Sequence, residues 1–207
     1  MLKKIPLSEQ AYHELVKRII AGKWPGGTRL AEEALSREFG ISRTPIREAL
    51  KRLAGEEMIE TLPGGGFRVG ELDRLAVAEL FDCRTGIEVL ALSAAIDRIP
   101  AEKLTALQVM LTRTGTEAEC RRYSLAGDEA LHELIATYCG NRYLAQTLRQ
   151  LIKRTAPFRH YRNENPTPDL TAERVHLVAA ILARDRNTAA ALLAQHINGA
   201  TAAIPLA

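Results

Sequence analysis

No stretch of the 207-residue chain approaches the ~20 consecutive apolar residues that a membrane-crossing helix needs, so no membrane partner is expected. The opening MLKKIPLSEQ has two lysines but no apolar run, so a secretory signal is not expected and a cytoplasmic protein is. Cysteine is scarce and odd in number. Cys83, Cys120 and Cys139 lack CxxC spacing, which argues against a disulfide framework or a zinc ribbon and leaves buried, reduced thiols as the expectation. HExxH, GxSxG and Gly-rich phosphate loops are also missing, and with them the commonest signatures of hydrolysis and phosphoryl transfer.

What is present is an ordinary globular mix, 46% hydrophobic and 26% charged, with an uneven charge distribution. Residues 1–70 hold 12 Lys/Arg against 9 Asp/Glu, whereas residues 71–207 hold 16 of each. The whole positive excess therefore lies in the first third, where a polyanion would bind. Tyr12, Leu15, Val16 and Ile19 form the stripe of a first helix over 8–21, capped by Ser8 and stopped by Gly22. A short second helix, 31–39, ends at Gly40. Ser42 then caps ISRTPIREALKRL (41–53), in which Pro45 is tolerated in the first turn. IETLP, GGG and FRVGEL read as two strands around a flexible tip. Three helices and a two-stranded ribbon make a winged helix-turn-helix over 1–70.

In such a domain the second helix of the motif enters the major groove. Arg43 and Arg47, one turn apart, each offer a planar fork that matches guanine O6/N7 or a phosphate. Thr44 and Lys51 share that face, and the free N–H groups from Ser42 to Thr44 favour a phosphate. Gly64, Gly65 and Gly66 let the wing backbone approach DNA closely, Arg68 is placed to track the minor groove, and Lys3 and Lys4 add backbone contacts. The alternative is a merely solvated cationic face.

From Asp73 onward only helical periodicity is visible, over 73–99, 101–113, 117–139, 142–162, 171–184 and 187–203, with Pro157 expected to end or kink the fourth of these. The fold class is thus mostly α, a winged helix-turn-helix followed by an all-helical bundle over 71–207. Asp128 and His132, at i and i+4, face one point in a bundle interior, and carboxylate plus imidazole suits Zn, Ni or Mn.

WPGGTRLAEEALSREFGISRTPIREALKRL followed by GGGFRV resembles the DNA-binding domain of GntR-type transcriptional regulators, with SRTPIREAL its most specific run. FDCRTGIEVLAL, GDEALHELIATYCGN and AILARDRNTAAALLAQH resemble the all-helical effector (FCD) domain of the FadR subgroup. The resemblance implies a homodimer on palindromic operator DNA, controlled by a small-molecule effector. Two departures from it stand out: Glu57 where the family often has Gly, and Glu33 where some relatives place a phosphate-binding Arg. The resemblance also implies an Asp-His-His-His metal site. It carries Asp128, His132 and His196 onto ligand positions, but puts Arg174 where the third His belongs. His176 lies about 200° around the helix from Arg174 and substitutes only if that helix is rotated or irregular.

Three readings of this pocket stay open. One is a three-ligand metal site. Another is a metal-free pocket with Arg174 as a fixed charge, and the third is a satisfied set of buried polar groups. Arg84 matches the family arginine that clamps an effector carboxylate, so Arg84 and Arg174 together suit a small organic acid. The bland alternative for Arg84 is a surface pair with Glu88. Tyr138, Asn141 and Tyr161 are further pocket candidates, though packing the bundle or capping a helix is the better account of them. The functional expectation is a metabolite-responsive transcription factor. A metalloenzyme built on Asp128, His132 and His196, a metal-sensing regulator, and an interaction scaffold are the alternatives.

Overall fold

The computed structural model describes residues 5–70, 74–164 and 170–202, and within these the side chains of residues 74, 159–164, 170 and 200–202 are not described. Lys3, Lys4 and the side chain of Tyr161 therefore lie outside the described residues. The chain divides into two compact units. One takes the chain up to Val77 together with the stretch from Arg154 to Tyr161, and the other begins at Ala78.

The first unit runs α1 (Leu7–Ile20), β1 (Arg29–Leu30), α2 (Glu32–Phe39), α3 (Arg43–Gly55), β2 (Ile59–Thr61) and β3 (Phe67–Val69). The expected two-stranded ribbon is a three-stranded antiparallel sheet in the order β1-β3-β2. Two residues of β1 pair Arg29 with Arg68 and Leu30 with Phe67, too short a run to show strand periodicity in the sequence. Tyr12, Leu15, Val16 and Ile19 of α1 bury against Ile46, Ala49, Leu50 and Leu53 of α3, so the stripe read from spacing is the core.

Two caps differ from expectation. Pro6 is the N-cap of α1, which leaves Ser8 inside the first turn. Ser42 does stand at the N-cap of α3, but its side chain makes no capping bond, so the amides there keep their free N–H groups. Gly40, at φ 64, supplies the left-handed residue that turns α2 into α3, and Gly64–Gly66, at φ 90, 96 and 94, do the same at the wing tip. Glu57 sits at φ 60, the left-handed conformation for which glycine is the ordinary choice.

A polar network ties α3 to α1. Tyr12 donates its hydroxyl to Glu56 Oε2 at 2.7 Å, Arg52 Nε donates to Glu56 Oε1 at 3.1 Å, and the guanidinium of Arg52 lies 3.6 Å over the Tyr12 ring. Burial, then the neighbouring Glu56 charge, push the Tyr12 hydroxyl well above its ordinary range, so it remains a donor.

The remaining helices are α4 (Arg74–Ala95), α5 (Ala101–Leu111), α6 (Glu117–Tyr138), α7 (Arg142–Glu164), α8 (Leu170–Leu182) and α9 (Arg186–Ala202), each within a few residues of its expected span. Thr116 and Glu119 form a reciprocal capping box at the start of α6. Pro157 stands inside α7 and does not end it. Of the three cysteines only Cys139 is buried; Cys83 is exposed and Cys120 intermediate, which corrects the expectation for two of them. No helix among the described residues is long and apolar enough to cross a membrane.

Tyr12→Phe removes a donor from the buried Glu56 carboxylate and is expected to cost about 1–3 kcal/mol in chemical denaturation. A loss within experimental error would show that the network does not hold α3 in place.

Candidate functional site

Two sets of side chains stand out, one in each unit. On α3, Ser42, Arg43, Thr44, Arg47 and Lys51 are all exposed, on the side opposite the buried Ile46–Leu50–Leu53 stripe. The wing offers Gly64, Gly65 and Arg68 to solvent, with Gly66 half-buried. The arginines are not free forks. Arg43 Nη2 lies 3.1 Å from Glu33, and Arg47 holds Glu32 through Nε at 3.0 Å and Nη2 at 2.7 Å. Arg68 Nε donates to Glu60 Oε2 at 2.6 Å across the β2–β3 pair. These pairs stand in high dielectric, where an ion pair is cheaply exchanged for a phosphate. Sequence reasoning recognised Glu33 only as a lost phosphate contact. In the structure it is the partner of Arg43, and spacing within one helix could not show this because the pair joins α2 to α3.

In the second unit, α6 presents Ser124, Asp128 and His132 at successive i+4 positions on one face. Arg84 and Glu88 come from α4, Arg174 from α8 and His196 from α9, and all seven side chains are nine-tenths or more buried. Arg174 Nε donates to Asp128 Oδ1 at 2.9 Å, and its Nη1 bonds Ser124 Oγ. His196 Nε2 meets the same Asp128 Oδ1 at 2.9 Å. His132 bonds Glu88 Oε1 through Nδ1, while its Nε2 lies 3.8 Å from Asp128 Oδ1 and has no hydrogen-bond partner. Arg84 Nε reaches Glu88 Oε2 at 3.0 Å. The Arg84–Glu88 pair, the alternative reading of Arg84, is thus present but wholly buried rather than at the surface.

Burial would raise the Glu88 carboxyl, but His132 and Arg84 together hold it down at about 2. Burial pushes the His132 imidazole down to about 4 against the pull of Glu88. At neutral pH Glu88 is therefore an acceptor only, so Nδ1 of His132 carries the proton and Nε2 presents a lone pair.

Asp128, His132 and His196 form a buried cluster whose ligand-type atoms lie within 4.8 Å of one another, an arrangement of the kind that can hold a metal. His176 is not a substitute third imidazole. It is exposed, because α8 is regular and turns its 176 position away from the buried 174 position. It lines an outer cavity of about 150 Å³ with Glu173, Gln195 and the outward side of His196. Asn141 caps α7, accepting from the amides of Tyr143 and Leu144 at 3.1 Å. Tyr138 lines a separate groove between α5 and α6. Sequence reasoning missed Ser124, although its i−4 spacing from Asp128 was a readable signal, and it missed Glu88 as the partner of His132, which comes from another helix.

A winged helix-turn-helix with an exposed cationic face on α3, followed by a helical unit with a buried charged cluster, is the architecture of a DNA-binding regulator. The comparisons agree. Residues 7–69 match the family model "Bacterial regulatory proteins, gntR family" and residues 79–199 match the FCD domain. The chain is 33% identical over 153 residues to the uncharacterised HTH-type transcriptional regulator YdhC of Bacillus subtilis (strain 168), covering 70% of this chain and 66% of that protein. It is 27% identical over 203 residues to the HTH-type transcriptional repressor GlaR of Escherichia coli (strain K12), covering 92% of each.

Among solved structures, E. coli McbR/YncC superposes with a TM-score of 0.60 at 23% identity over 95% of both chains. The Zn2+-bound FCD domain of TM0439 superposes with a TM-score of 0.55 at 23% identity, covering 64% of this chain and 94% of that one. The chain belongs to the GntR family of bacterial regulators, in its FadR-type branch with an FCD domain, and is a transcriptional regulator rather than an enzyme.

Asp128→Asn leaves the buried Arg174 without its carboxylate and is expected to cost about 3–5 kcal/mol of stability. Arg174→Met in the same chain should recover much of that loss. Additive losses in the double-mutant cycle would show that the two residues do not act as a pair.

Proposed function

We propose that residues 1–70 grip operator DNA as one half of a homodimer, and that the buried pocket of the helical unit receives a small organic acid that changes operator affinity. The observation that carries the first half is the exposed Arg43, Thr44, Arg47 and Lys51 face of α3. It has the chemistry of base and phosphate contacts at the position where a winged helix-turn-helix enters the major groove. The uncapped N-terminus of α3 adds amides for a phosphate, and Gly64–Gly66 and Arg68 bring the wing to the adjacent minor groove. The glutamates paired with Arg43, Arg47 and Arg68 hold each fork in place until nucleic acid displaces them.

For the second half, the support is chemical. Arg84 and Arg174 are buried cations of the same polar cluster as the unpartnered acceptor His132 Nε2, and His196 belongs both to that cluster and to the lining of the outer cavity. An organic acid that brings a hydroxyl or its own acid proton satisfies that acceptor while its oxygens face the guanidinium groups. A coupling of about 1–3 kcal/mol between pocket and operator suffices to switch occupancy.

Arg43→Ala or Arg47→Ala is expected to weaken operator binding roughly 5- to 150-fold with an unchanged circular-dichroism spectrum, and to flatten the salt dependence wherever a phosphate contact is lost. Fluorescence anisotropy on duplexes selected from random sequence checks this. Unchanged affinity in both variants rejects the α3 face. A melting-temperature screen against small carboxylic acids, followed by anisotropy with the hits, tests the pocket. An acid that stabilises the protein without altering operator affinity would separate binding from regulation.

A further inference from the structure

We infer that Arg174 supplies, inside the cluster of Asp128, His132 and His196, the positive charge that a divalent ion would otherwise bring, so that this chain's site works without a metal. The inference concerns the effector pocket proposed above, yet its test does not require that an effector be known.

A metal centre needs several lone pairs aimed at one point that holds no other cation. Asp128 Oδ1 already accepts from Arg174 Nε and from His196 Nε2, both at 2.9 Å. A carboxylate oxygen only accepts, so His196 must place a proton on Nε2, and the lone pair that would bind an ion there is gone. Arg174 is 1% exposed and anchored through Ser124 as well, so its guanidinium is fixed inside the bundle. His132 Nε2 presents a lone pair that no hydrogen bond engages, whereas the His196 nitrogen that faces Asp128 is already used.

The charges give a second, independent reason. Arg84 and Arg174 are balanced by Glu88 and Asp128, all four at most 1% exposed, so these buried charges cancel; Glu173, 3.6 Å from His196 Nδ1, is partly exposed to water. A divalent ion would add two charges of one sign to a volume where an uncompensated charge is costly. It would also have to displace a guanidinium from the oxygen it needs. An organic acid that gives its proton to His132 Nε2 leaves the balance unchanged. A guanidinium also fixes geometry differently from an ion. It donates in one plane to Asp128 and Ser124, whereas a metal collects ligands from all directions. The residues present therefore do not fit a divalent ion, and the fixed cation belongs to the chain itself.

The test compares the full-length protein with its Arg174→His variant, both purified without metal-affinity resin or chelator. Metal content is measured by mass spectrometry, and Zn2+, Ni2+ and Mn2+ are each titrated while melting temperature is followed. The wild type is expected to carry well under one ion per chain, and its melting temperature is expected not to respond. Arg174→His restores a third imidazole beside Asp128, His132 and His196, and is expected to take up one Zn2+ per chain with a rise in melting temperature reversed by EDTA.

A stoichiometric ion in the wild type that His132→Ala or His196→Ala abolishes would overturn the inference. A folded Arg174→His variant that takes no zinc would do the same. Should that variant fail to fold, the wild-type measurement decides alone. Operator binding in the same samples keeps the two readings distinct, because an ion found in the wild type removes the metal-free pocket while α3 still binds DNA.

Discussion

A carboxylate can be kept inside an apolar helical bundle only when its charge is met at hydrogen-bonding distance, and Asp128 satisfies that condition through Arg174. The consequences reach four helices. Asp128 of α6 draws in Arg174 from α8 and His196 from α9, while His132, one turn on, reaches Glu88 of α4, which in turn holds Arg84. None of these groups could be buried alone. Together they turn a polar liability into a site of defined geometry, with the imidazole acceptor of His132 facing inward. Such networks add little net stability compared with a well-packed apolar core, which is one reason to look for their purpose in ligand recognition.

The winged unit operates in the opposite electrostatic regime. Arg43, Arg47 and Arg68 lie in water, each beside a carboxylate, and none belongs to the buried core. The α1–α3 core of Leu15, Ile19, Ile46, Leu50 and Leu53 and the Tyr12–Glu56–Arg52 network fix the pose of α3 without using a single residue of the recognition face. The face is thereby left exposed to solvent. An exposed pair such as Arg47–Glu32 is screened by water and costs little to break, while breaking a buried pair such as Arg174–Asp128 strands a charge in the bundle.

The sequence alone determined whatever depends on neighbours along one chain segment. Helical spacing placed the six helices after Asp73 within a few residues, the apolar stripes of α1 and α3, and the cationic face opposite the second stripe, because side chains three and four apart must share a side of a helix. It also showed Asp128 and His132 as a pair. It did not disclose that β1 exists, since two residues carry no periodicity, nor that Ser8 and Ser42 leave their helices uncapped. Tertiary structure alone decided how the groups from different helices meet. It put Glu33 on Arg43 and Glu88 on His132, buried Arg84 with its partner, and turned His176 outward while Arg174 went in. Those outcomes depend on how α4, α6, α8 and α9 pack and rotate against one another, and a buried charge can choose its partner only once that packing has excluded water.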